Sequence, residues 1–295
     1  MNQLTLGIVG AGVIGSSLAQ AVLDSGLDVV LHDNDPQALA NAEQRMATER
    51  RMARLGGRRP AAEGTLTLAT ELSALAAADL VVENIVEDEA AKTEVHRRLD
   101  QVLAPRTVVA VNTSAVPVTS LALATDHPDR VLGAHFMNPV GLTTMVEAVR
   151  TPHTAPWAVE ALRDLLARMG KSTVVVDDAP GFVINRCLMI FVNEAAALLD
   201  DGVASPLEVD RLFQGCLGHR SGPLRTADLI GVDTVVRTLE VLARQFGAEG
   251  ARRPEGPQRP ERFEPCARLR RMVADGHLGR KSGHGFFTYP ELQTI

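Results

Sequence analysis

Short apolar runs alternate with longer amphipathic stretches over the first 178 residues of the chain. Most runs are largely apolar, which is typical of strands buried on both faces of a parallel sheet, whereas the run 144–149 alternates polar and apolar residues. The predicted strands cover residues 5–9, 29–32, 78–83, 107–112, 130–133, 144–149 and 173–176. Apolar positions at helical spacing predict helices between them, at 16–25, 36–55, 88–99 and 156–169. This alternation of strands and helices predicts an α/β domain.

The pattern changes after a turn at 178–182, which contains proline and glycine. From there the chain is almost entirely helical in its spacing, and the stretch 183–199 is apolar nearly all round. Such a helix belongs in a core or between subunits. We therefore expect a first domain at 1–178 and a helical second domain at 179–295. The predicted helices of the second domain cover 182–201, 206–216, 224–246 and 266–275.

The composition argues against a nucleic-acid-binding surface, a metal site and a membrane segment. The 295 residues suffice for two domains with separate cores, and the net charge of −6 gives no indication of a nucleic-acid surface. Cys187, Cys216 and Cys266 lack metal-ligand spacing, so we expect free thiols and no metal site. No signal peptide precedes the first strand and no apolar run approaches about 20 residues, so we expect a cytoplasmic protein without a membrane segment.

Residues 10–15 read Gly-Ala-Gly-Val-Ile-Gly, between a predicted strand and a predicted helix. Glycines in this G-x-G-x-x-G pattern allow a tight turn and let the backbone approach a pyrophosphate at the helix N-terminus. Asp33 ends the second strand, where a carboxylate accepts hydrogen bonds from a ribose and repels a 2′-phosphate. No arginine follows it directly, which favours NAD over NADP. The predicted cofactor-binding residues are Gly10, Gly12, Val13, Ile14, Gly15 and Asp33.

Polar residues also stand at or beyond the ends of the next two strands. Ligands of open parallel sheets bind beyond the carboxyl ends of the strands, so these residues are candidates for the same cleft. They are Glu87, Lys92, Asn112 and Ser114. Ser114 could instead cap the helix that follows it, and the sequence leaves this alternative open.

A histidine, His135, follows the predicted strand at 130–133, and an Asn-Pro turn comes directly after it. The strand at 144–149 would bring Glu147 back beside it. A carboxylate can fix the tautomer of an imidazole and stabilise its protonated form, which is the arrangement used in general base catalysis. A buried histidine that bonds only to backbone is the alternative.

Six segments together resemble the 3-hydroxyacyl-CoA dehydrogenase family, and especially its short bacterial 3-hydroxybutyryl-CoA dehydrogenase branch. The resemblance covers nearly the whole chain. It implies an N-terminal Rossmann dinucleotide-binding domain, an all-α C-terminal domain, NAD as cofactor, an acyl thioester as substrate and a homodimer formed through the helical domain. The segments are 10–15, 82–87, 112–114, 135–139, 178–185 and 279–286.

The resemblance also implies residue roles. His135 would take the proton of the 3-hydroxyl as hydride leaves C3 for the nicotinamide, and Glu147 would be its carboxylate partner. Ser114 would bond the substrate hydroxyl, and the Asn185 amide would help to hold the reacting oxygen and the histidine. The implied cofactor contacts are Asp33, Glu87, Lys92, Asn138 and Lys281.

Two segments depart from the family pattern. Gly141 and Thr144 stand where the family usually has a proline and a lysine. The stretch 46–70 contains arginines but none of the lysines typical of the family's CoA-binding region. Both departures concern the acyl pocket and the thioester carrier rather than His135 and Glu147. The arginines of this stretch and its surroundings include Arg50, Arg51, Arg54, Arg58 and Arg59.

The sequence leaves open both the role of these arginines and the question of whether the protein is an enzyme. The arginines could be a solvated helix face, or they could bind a carrier. The carrier could be CoA, or the phosphopantetheine of an acidic acyl carrier protein, as in polyketide extender-unit biosynthesis. The chain could also bind NAD without catalysis, although the presence of Ser114, His135, Glu147 and Asn185 favours an enzyme.

Overall fold

The computed structural model describes residues 4–57, 64–252 and 260–289, with only the backbone described at 248–252. Contacts divide the chain into two compact units, Met1–Phe182 and Val183–Ile295. The sequence placed the boundary between the domains after residue 178. The first unit is an α/β sheet structure and the second is helical, which confirms the predicted fold class.

A single sheet, in the order β3-β2-β1-β4-β5-β6-β7-β8, is formed by the described residues of the first unit. Every neighbouring pair is parallel except β6 and β7, which are antiparallel. The first six positions follow the strand order of a Rossmann fold. The strands are β1 (Thr5–Val9), β2 (Asp28–His32), β3 (Leu66–Ala69), β4 (Leu80–Glu83), β5 (Val108–Val111), β6 (Val131–His135), β7 (Met145–Arg150) and β8 (Ser172–Asp177).

Helices cover both faces of this sheet. One buried cluster joins the sheet to α1, α2 and α5, and a second joins it to α3 and α4. Asp35 caps α2 by accepting a hydrogen bond from the Gln37 amide at 2.9 Å. Because the sheet is covered on both faces, its functional groups project from the strand ends. The helices are α1 (Val13–Leu23), α2 (Pro36–Leu55), α3 (Glu89–Val102), α4 (Val118–Ala122) and α5 (Pro156–Arg168).

Strand β3 was not predicted from the sequence. It lies at the edge of the sheet and pairs only with β2. Leu66 and Leu68 are half-buried while Thr67 between them is exposed. Four residues with only two large apolar side chains give a weak alternating pattern, which is why the strand was missed.

The second unit contains five helices within the described residues. A buried cluster includes Met189, Val192, Leu224, Leu239 and Leu269, so this unit has its own core. No helix in the described part of the chain is long and apolar enough to cross a membrane. The helices are α6 (Ile184–Asp200), α7 (Pro206–Leu217), α8 (Pro223–Ile230), α9 (Val232–Arg252) and α10 (Ala267–Ala274).

Residues 279–286, a segment near the end of the chain that contains several glycines, are held by Asp228 of α8. Its buried carboxylate accepts hydrogen bonds from the amides of Phe286 and Phe287, each at 2.9 Å. Burial raises the pKa of Asp228, although these amides oppose the shift. A side chain on Gly279 or Gly285 would overlap Asp228, so the glycines of this segment permit its close approach to α8.

Candidate active site

The glycine loop (residues 10–15) connects β1 to α1. Gly10 has φ of +99°, and a Cβ on Gly15 would lie 1.9 Å from the Gly10 carbonyl oxygen. A Cβ on Gly12 would meet nothing within 4 Å. Gly12 is also the N-cap of α1 and offers no side chain to the first helical amides. The loop therefore leaves open space beside helix amides that suit an anion, and it fits the pyrophosphate of a dinucleotide.

Asp33 follows β2 and lies beside this loop. Its Oδ2 accepts a hydrogen bond from the Ala11 amide at 2.8 Å, and its Oδ1 accepts one from the Asp35 amide at 3.0 Å. Each carboxylate oxygen has a second lone pair, and the residue is half-buried. Asp33 can therefore hold the loop and still accept a ribose hydroxyl.

A buried ion pair ties the ends of β4 and β5 together. Lys92 Nζ donates to Glu83 Oε1 at 2.8 Å and to the Asn112 carbonyl oxygen at 3.1 Å. Both charged side chains have no exposed surface. Burial would raise the pKa of Glu83, but the neighbouring His96 and Lys92 together hold it below its usual value. Lys92 thus lies near the carboxyl ends of β4 and β5, with its ammonium group bonded inside the protein.

Asn112 is also engaged within the sheet edge. Its side-chain nitrogen donates to Asn84 Oδ1 at 2.8 Å, and its side-chain oxygen accepts from the Phe136 amide. Lys92 and Asn112 therefore both make contacts that connect the ends of neighbouring strands.

Glu87 organises the loop that carries Ser114. Its Oε1 accepts hydrogen bonds from Thr113 Oγ1 at 2.7 Å, from the Ser114 amide at 2.7 Å and from the Ala115 amide at 2.9 Å. Helix α4 begins after Pro117, so Ser114 is not its N-cap. The capping alternative for Ser114 is therefore wrong, and its hydroxyl lies beside the His135 imidazole instead.

His135 and Glu147 occupy opposite positions of the antiparallel pair β6 and β7. His135 Nδ1 lies 3.0 Å from Glu147 Oε2, and Nε2 lies 3.3 Å from Ser114 Oγ. Both members of the pair are buried. The Phe182 ring packs edge-on against the imidazole, with centroids 6.0 Å apart. The contact expected between His135 and Glu147 is thus present, with the second imidazole nitrogen beside a hydroxyl.

The segment that departs from the family pattern follows the cis bond between Asn138 and Pro139. Lys171 Nζ donates to the carbonyl oxygens of Val140 and Thr143, at 2.6 and 2.5 Å. The Val140 amide donates to Ser17 Oγ at 3.1 Å. These bonds fix the backbone of the segment, while Asn138 and Leu142 are exposed.

A cavity of about 580 Å³ borders this segment. Its lining includes basic groups from α2, acidic groups and the apolar edge of the segment. Arg58 and Arg59, which the sequence grouped with the arginines of α2, lie outside the described residues. Named lining residues are Asp24, Glu49, Arg50, Arg54, Leu142 and Lys171.

Two predicted site residues belong to the second unit. Asn185 lies in the first turn of α6 and is buried. Lys281 pairs with Asp233 of the same unit, with Nζ 2.6 Å from Oδ1. Within the described residues, no group of three or more His, Cys, Asp or Glu side chains could hold a metal ion.

Sequence reasoning missed Glu83, Thr113 and Phe182 as parts of this site. Glu83 is the last residue of an otherwise apolar strand, and a carboxylate in that position is a signal that an internal cation neutralises it. Thr113 and Phe182 carry no comparable signal, because their contacts depend on how distant segments meet.

Both units of the chain match models of one protein family. Residues 5–179 match the family model of the 3-hydroxyacyl-CoA dehydrogenase NAD binding domain, and residues 181–289 match the model of the C-terminal domain of the same family. A probable 3-hydroxybutyryl-CoA dehydrogenase of Bacillus subtilis is 37% identical over 289 residues, covering 96% of this chain and 96% of that protein.

Two further relatives cover nearly the whole chain. A 3-hydroxybutyryl-CoA dehydrogenase of Bradyrhizobium diazoefficiens is 36% identical, covering 96% of this chain and 94% of that protein. The crystal structure of (S)-3-hydroxybutyryl-CoA dehydrogenase PaaH1 from Ralstonia eutropha superposes with a TM-score of 0.86 at 33% identity, over 98% of this chain and 100% of that chain. The chain therefore belongs to the 3-hydroxyacyl-CoA dehydrogenase family, and its cofactor is NAD.

Proposed function

We propose that this protein oxidises the 3-hydroxyl group of a 3-hydroxyacyl-CoA thioester to the 3-oxo group, or catalyses the reverse reaction, with His135 as the acid–base group. The observation that carries the proposal is the pair of contacts on one imidazole. Nδ1 meets the Glu147 carboxylate at 3.0 Å, and Nε2 lies 3.3 Å from Ser114 Oγ. The names of the relatives, 3-hydroxybutyryl-CoA dehydrogenases, support a short acyl chain.

The contacts of His135 assign a role to each nitrogen. A carboxylate accepts hydrogen bonds, so Glu147 favours the tautomer that carries its proton on Nδ1. Nε2 then has a free lone pair and can accept the proton of the substrate hydroxyl. Once protonated, the imidazolium is stabilised by the anionic Glu147. Positioned acid–base groups of this kind contribute on the order of 10²–10⁴-fold in rate.

Ser114 and Asn185 are the proposed groups that orient the reacting oxygen. The Ser114 hydroxyl can donate to that oxygen because it already lies beside Nε2. Glu87 holds the Ser114 amide and so sets the position of the hydroxyl. Asn185 is assigned the second hydrogen bond to the oxygen by the family resemblance.

When bound, the NAD cofactor would supply the hydride acceptor for the carbinol carbon. The glycine loop and Asp33 are the groups that we assign to its pyrophosphate and adenosine ribose. Asn138 and Lys281 are assigned to the same cofactor by the resemblance. We assign Glu87, Lys92 and Asn112 to the carboxyl ends of the strands beside the cofactor, where their bonds connect one strand end to the next.

The cavity beside α2 is the proposed place for part of the thioester carrier. Arg50 and Arg54 give it positive charge, while Asp24 and Glu49 limit that charge. Phosphate groups occur in CoA and in phosphopantetheine, so the arginines suit both. The names of the relatives specify CoA, which favours the CoA thioester over an acyl carrier protein.

The helical unit is the proposed dimer contact. Several of its apolar side chains are exposed, including Ile184, Leu207, Leu212 and Leu217. Exposed apolar side chains can contribute to a subunit interface where they come together on one surface. Light scattering of the purified protein should give the mass of a homodimer, and a monomer mass at micromolar concentration would contradict this part of the proposal.

The direct test of the function is formation of NADH from a panel of 3-hydroxyacyl thioesters, on CoA and on acyl carrier protein. We expect turnover of short-chain CoA substrates by the wild type. His135→Gln should lower kcat by at least about 10²-fold while the NAD Kd stays within about twofold.

Three outcomes would overturn the proposal or a part of it. Near-wild-type kcat in His135→Gln would remove His135 from the chemistry. Tight NAD binding with no NADH formed from any thioester would identify a non-catalytic NAD-binding protein. Turnover confined to the carrier-protein substrates, and lost on charge reversal at Arg50 and Arg54, would replace CoA by a carrier protein.

A further inference from the structure

Arg45 lies in the middle of α2 and reaches back to the glycine loop. Its Nη2 donates to the Ala11 carbonyl oxygen at 2.5 Å, and its Nε donates to Ser16 Oγ at 3.1 Å. Ser16 Oγ in turn donates within the start of α1, 2.7 Å from the Gly12 carbonyl oxygen. One side chain of α2 therefore fixes both the loop and the first turn of α1.

The peptide groups of Ala11 are held from two sides. Asp33 accepts the bond from the Ala11 amide at 2.8 Å, and Arg45 binds the Ala11 carbonyl. Rotation of the peptide between Ala11 and Gly12 would break the bond to Arg45. That peptide contributes the Gly12 amide, which precedes the uncapped amides of α1. Arg45 and Asp33 together thus set the direction of the backbone groups that face a pyrophosphate.

The printed bonds of Arg45 go to uncharged groups, although the Glu49 carboxylate lines the same cavity. Among the described residues, none of the ion pairs within 4 Å includes Arg45. The residue is half-buried and lines a cavity of about 460 Å³ that Val13, in the first turn of α1, also lines. The guanidinium, which bonds to a carbonyl and a hydroxyl, places its positive charge beside the anion-binding end of α1.

We propose that Arg45 is a positioning residue of the NAD site, which orients the glycine loop for the cofactor's pyrophosphate and adds positive charge beside it. The residue acts through Ala11 and Ser16, and it lies well outside the G-x-G-x-x-G pattern. Its effect should therefore appear in the binding of ligands with phosphate groups, and should not appear in the chemical step at His135.

Binding measurements with three ligands can separate phosphate recognition by Arg45 from a general effect on the stability of the fold. Dissociation constants of wild type and Arg45→Met would be measured for NAD, for ADP and for adenosine, which lacks phosphate. We expect the Kd for NAD and for ADP to rise by roughly ten- to a hundredfold in the variant, since charge-assisted hydrogen bonds and a charge are lost. The Kd for adenosine should change by less than about twofold, and kcat at saturating NAD should stay within about threefold.

A matched substitution controls for loss of one positive charge from the protein. Arg97→Met removes an arginine from an exposed position on α3, and we expect unchanged affinity for all three ligands. Arg45→Lys keeps the charge but offers fewer fixed donors, so its NAD Kd should lie between those of wild type and Arg45→Met.

Two results would overturn the proposal. One is an NAD Kd in Arg45→Met equal to that of the wild type. The other is a parallel loss of adenosine and NAD binding, which would show general damage to the domain. If Arg45→Met does not fold, Arg45→Lys serves in its place: a raised NAD Kd with unchanged adenosine binding supports the proposal, and an unchanged NAD Kd refutes it.

Discussion

The side-chain oxygen of Asn112 accepts a hydrogen bond from the backbone amide of Phe136 at 3.0 Å. Phe136 directly follows His135, so this bond fixes the chain at the point where β6 ends. The Asn112 carbonyl oxygen accepts from Lys92, and its side-chain nitrogen donates to Asn84. One asparagine at the end of β5 thus holds the ends of both neighbouring strands.

Replacement of Asn112 by alanine should impair the positioning of His135. We expect kcat to fall by about tenfold, because loss of a buried hydrogen bond costs about 1.4 kcal/mol and leaves the Phe136 amide unpaired. Steady-state kinetics at saturating NAD would measure the change. Asn84→Ala is the control, since it leaves the bond to Phe136 in place and should keep kcat within about threefold. A raised NAD Kd with unchanged kcat would instead assign Asn112 directly to the cofactor.

Glu147→Gln tests the charge of the carboxylate partner without a change of size. The amide can still meet Nδ1, but it neither favours one tautomer strongly nor stabilises the imidazolium. We expect kcat to fall on the order of 10²-fold or more, with little change in NAD affinity. Glu160→Gln makes the same chemical change on the exposed surface of α5 and should leave kcat unaltered. Equal kcat for Glu147→Gln and Glu160→Gln would contradict the role of Glu147.

Two glycines of the loop should respond differently to alanine. A Cβ on Gly15 would overlap the Gly10 carbonyl oxygen, whereas a Cβ on Gly12 meets open space in the protein. Gly15→Ala should therefore lower the thermal midpoint of unfolding by several degrees. Gly12→Ala should keep that midpoint and lose NAD affinity, because its methyl group occupies the space left for the cofactor. Full NAD affinity in Gly12→Ala would place the pyrophosphate elsewhere.

The ion pair of Glu83 and Lys92 predicts that the pH dependence of stability reverses when Lys92 is replaced. In the wild type the pKa of Glu83 is lowered, so its contribution to stability is present above the ordinary glutamate pKa and is lost as pH falls through the lowered value. Lys92→Met removes the ammonium and leaves burial opposed by His96 and by the Ile85 amide. We expect burial to outweigh these two groups, which would raise the pKa of Glu83 above its ordinary value in the folded state. The variant should therefore lose stability as pH rises above the ordinary glutamate range.

The measurement for this pair is the free energy of unfolding in urea at several pH values. At neutral pH Lys92→Met should cost about 3–5 kcal/mol, because a buried carboxylate is left unpaired. The double variant Glu83→Gln/Lys92→Met has no buried charge at these positions and should recover part of this loss. Equal pH dependence in wild type and Lys92→Met would refute the expectation.

The residues that could be located from sequence are those set by local pattern. The glycine loop and Asp33 follow from a strand, a turn and a helix in succession. The contact of His135 with Glu147 follows from two consecutive strands that meet at a short turn, because pairing in register then determines which side chains are opposite.

The contacts that escaped sequence reasoning join distant segments. Lys92 is bonded to Glu83 and to the Asn112 carbonyl, and Arg45 reaches Ala11 across 34 positions. Such contacts depend on the direction in which α2 and α3 pack, which apolar spacing alone does not give. The edge strand β3 was missed for a different reason, since three of its four residues are only half-buried and the fourth, Thr67, is exposed.

The order of the strands also sets the distance between Asp33 and His135. Asp33 follows β2, the glycine loop follows β1, and His135 ends β6, so the two ends of this row are four strand spacings apart. At about 4.8 Å for each spacing, the distance is roughly 19 Å. A single nucleoside seated at Asp33 would stop short of the histidine, whereas two nucleosides joined end to end can extend along the row. A dinucleotide therefore matches in length the distance between Asp33 and His135 that the strand order sets.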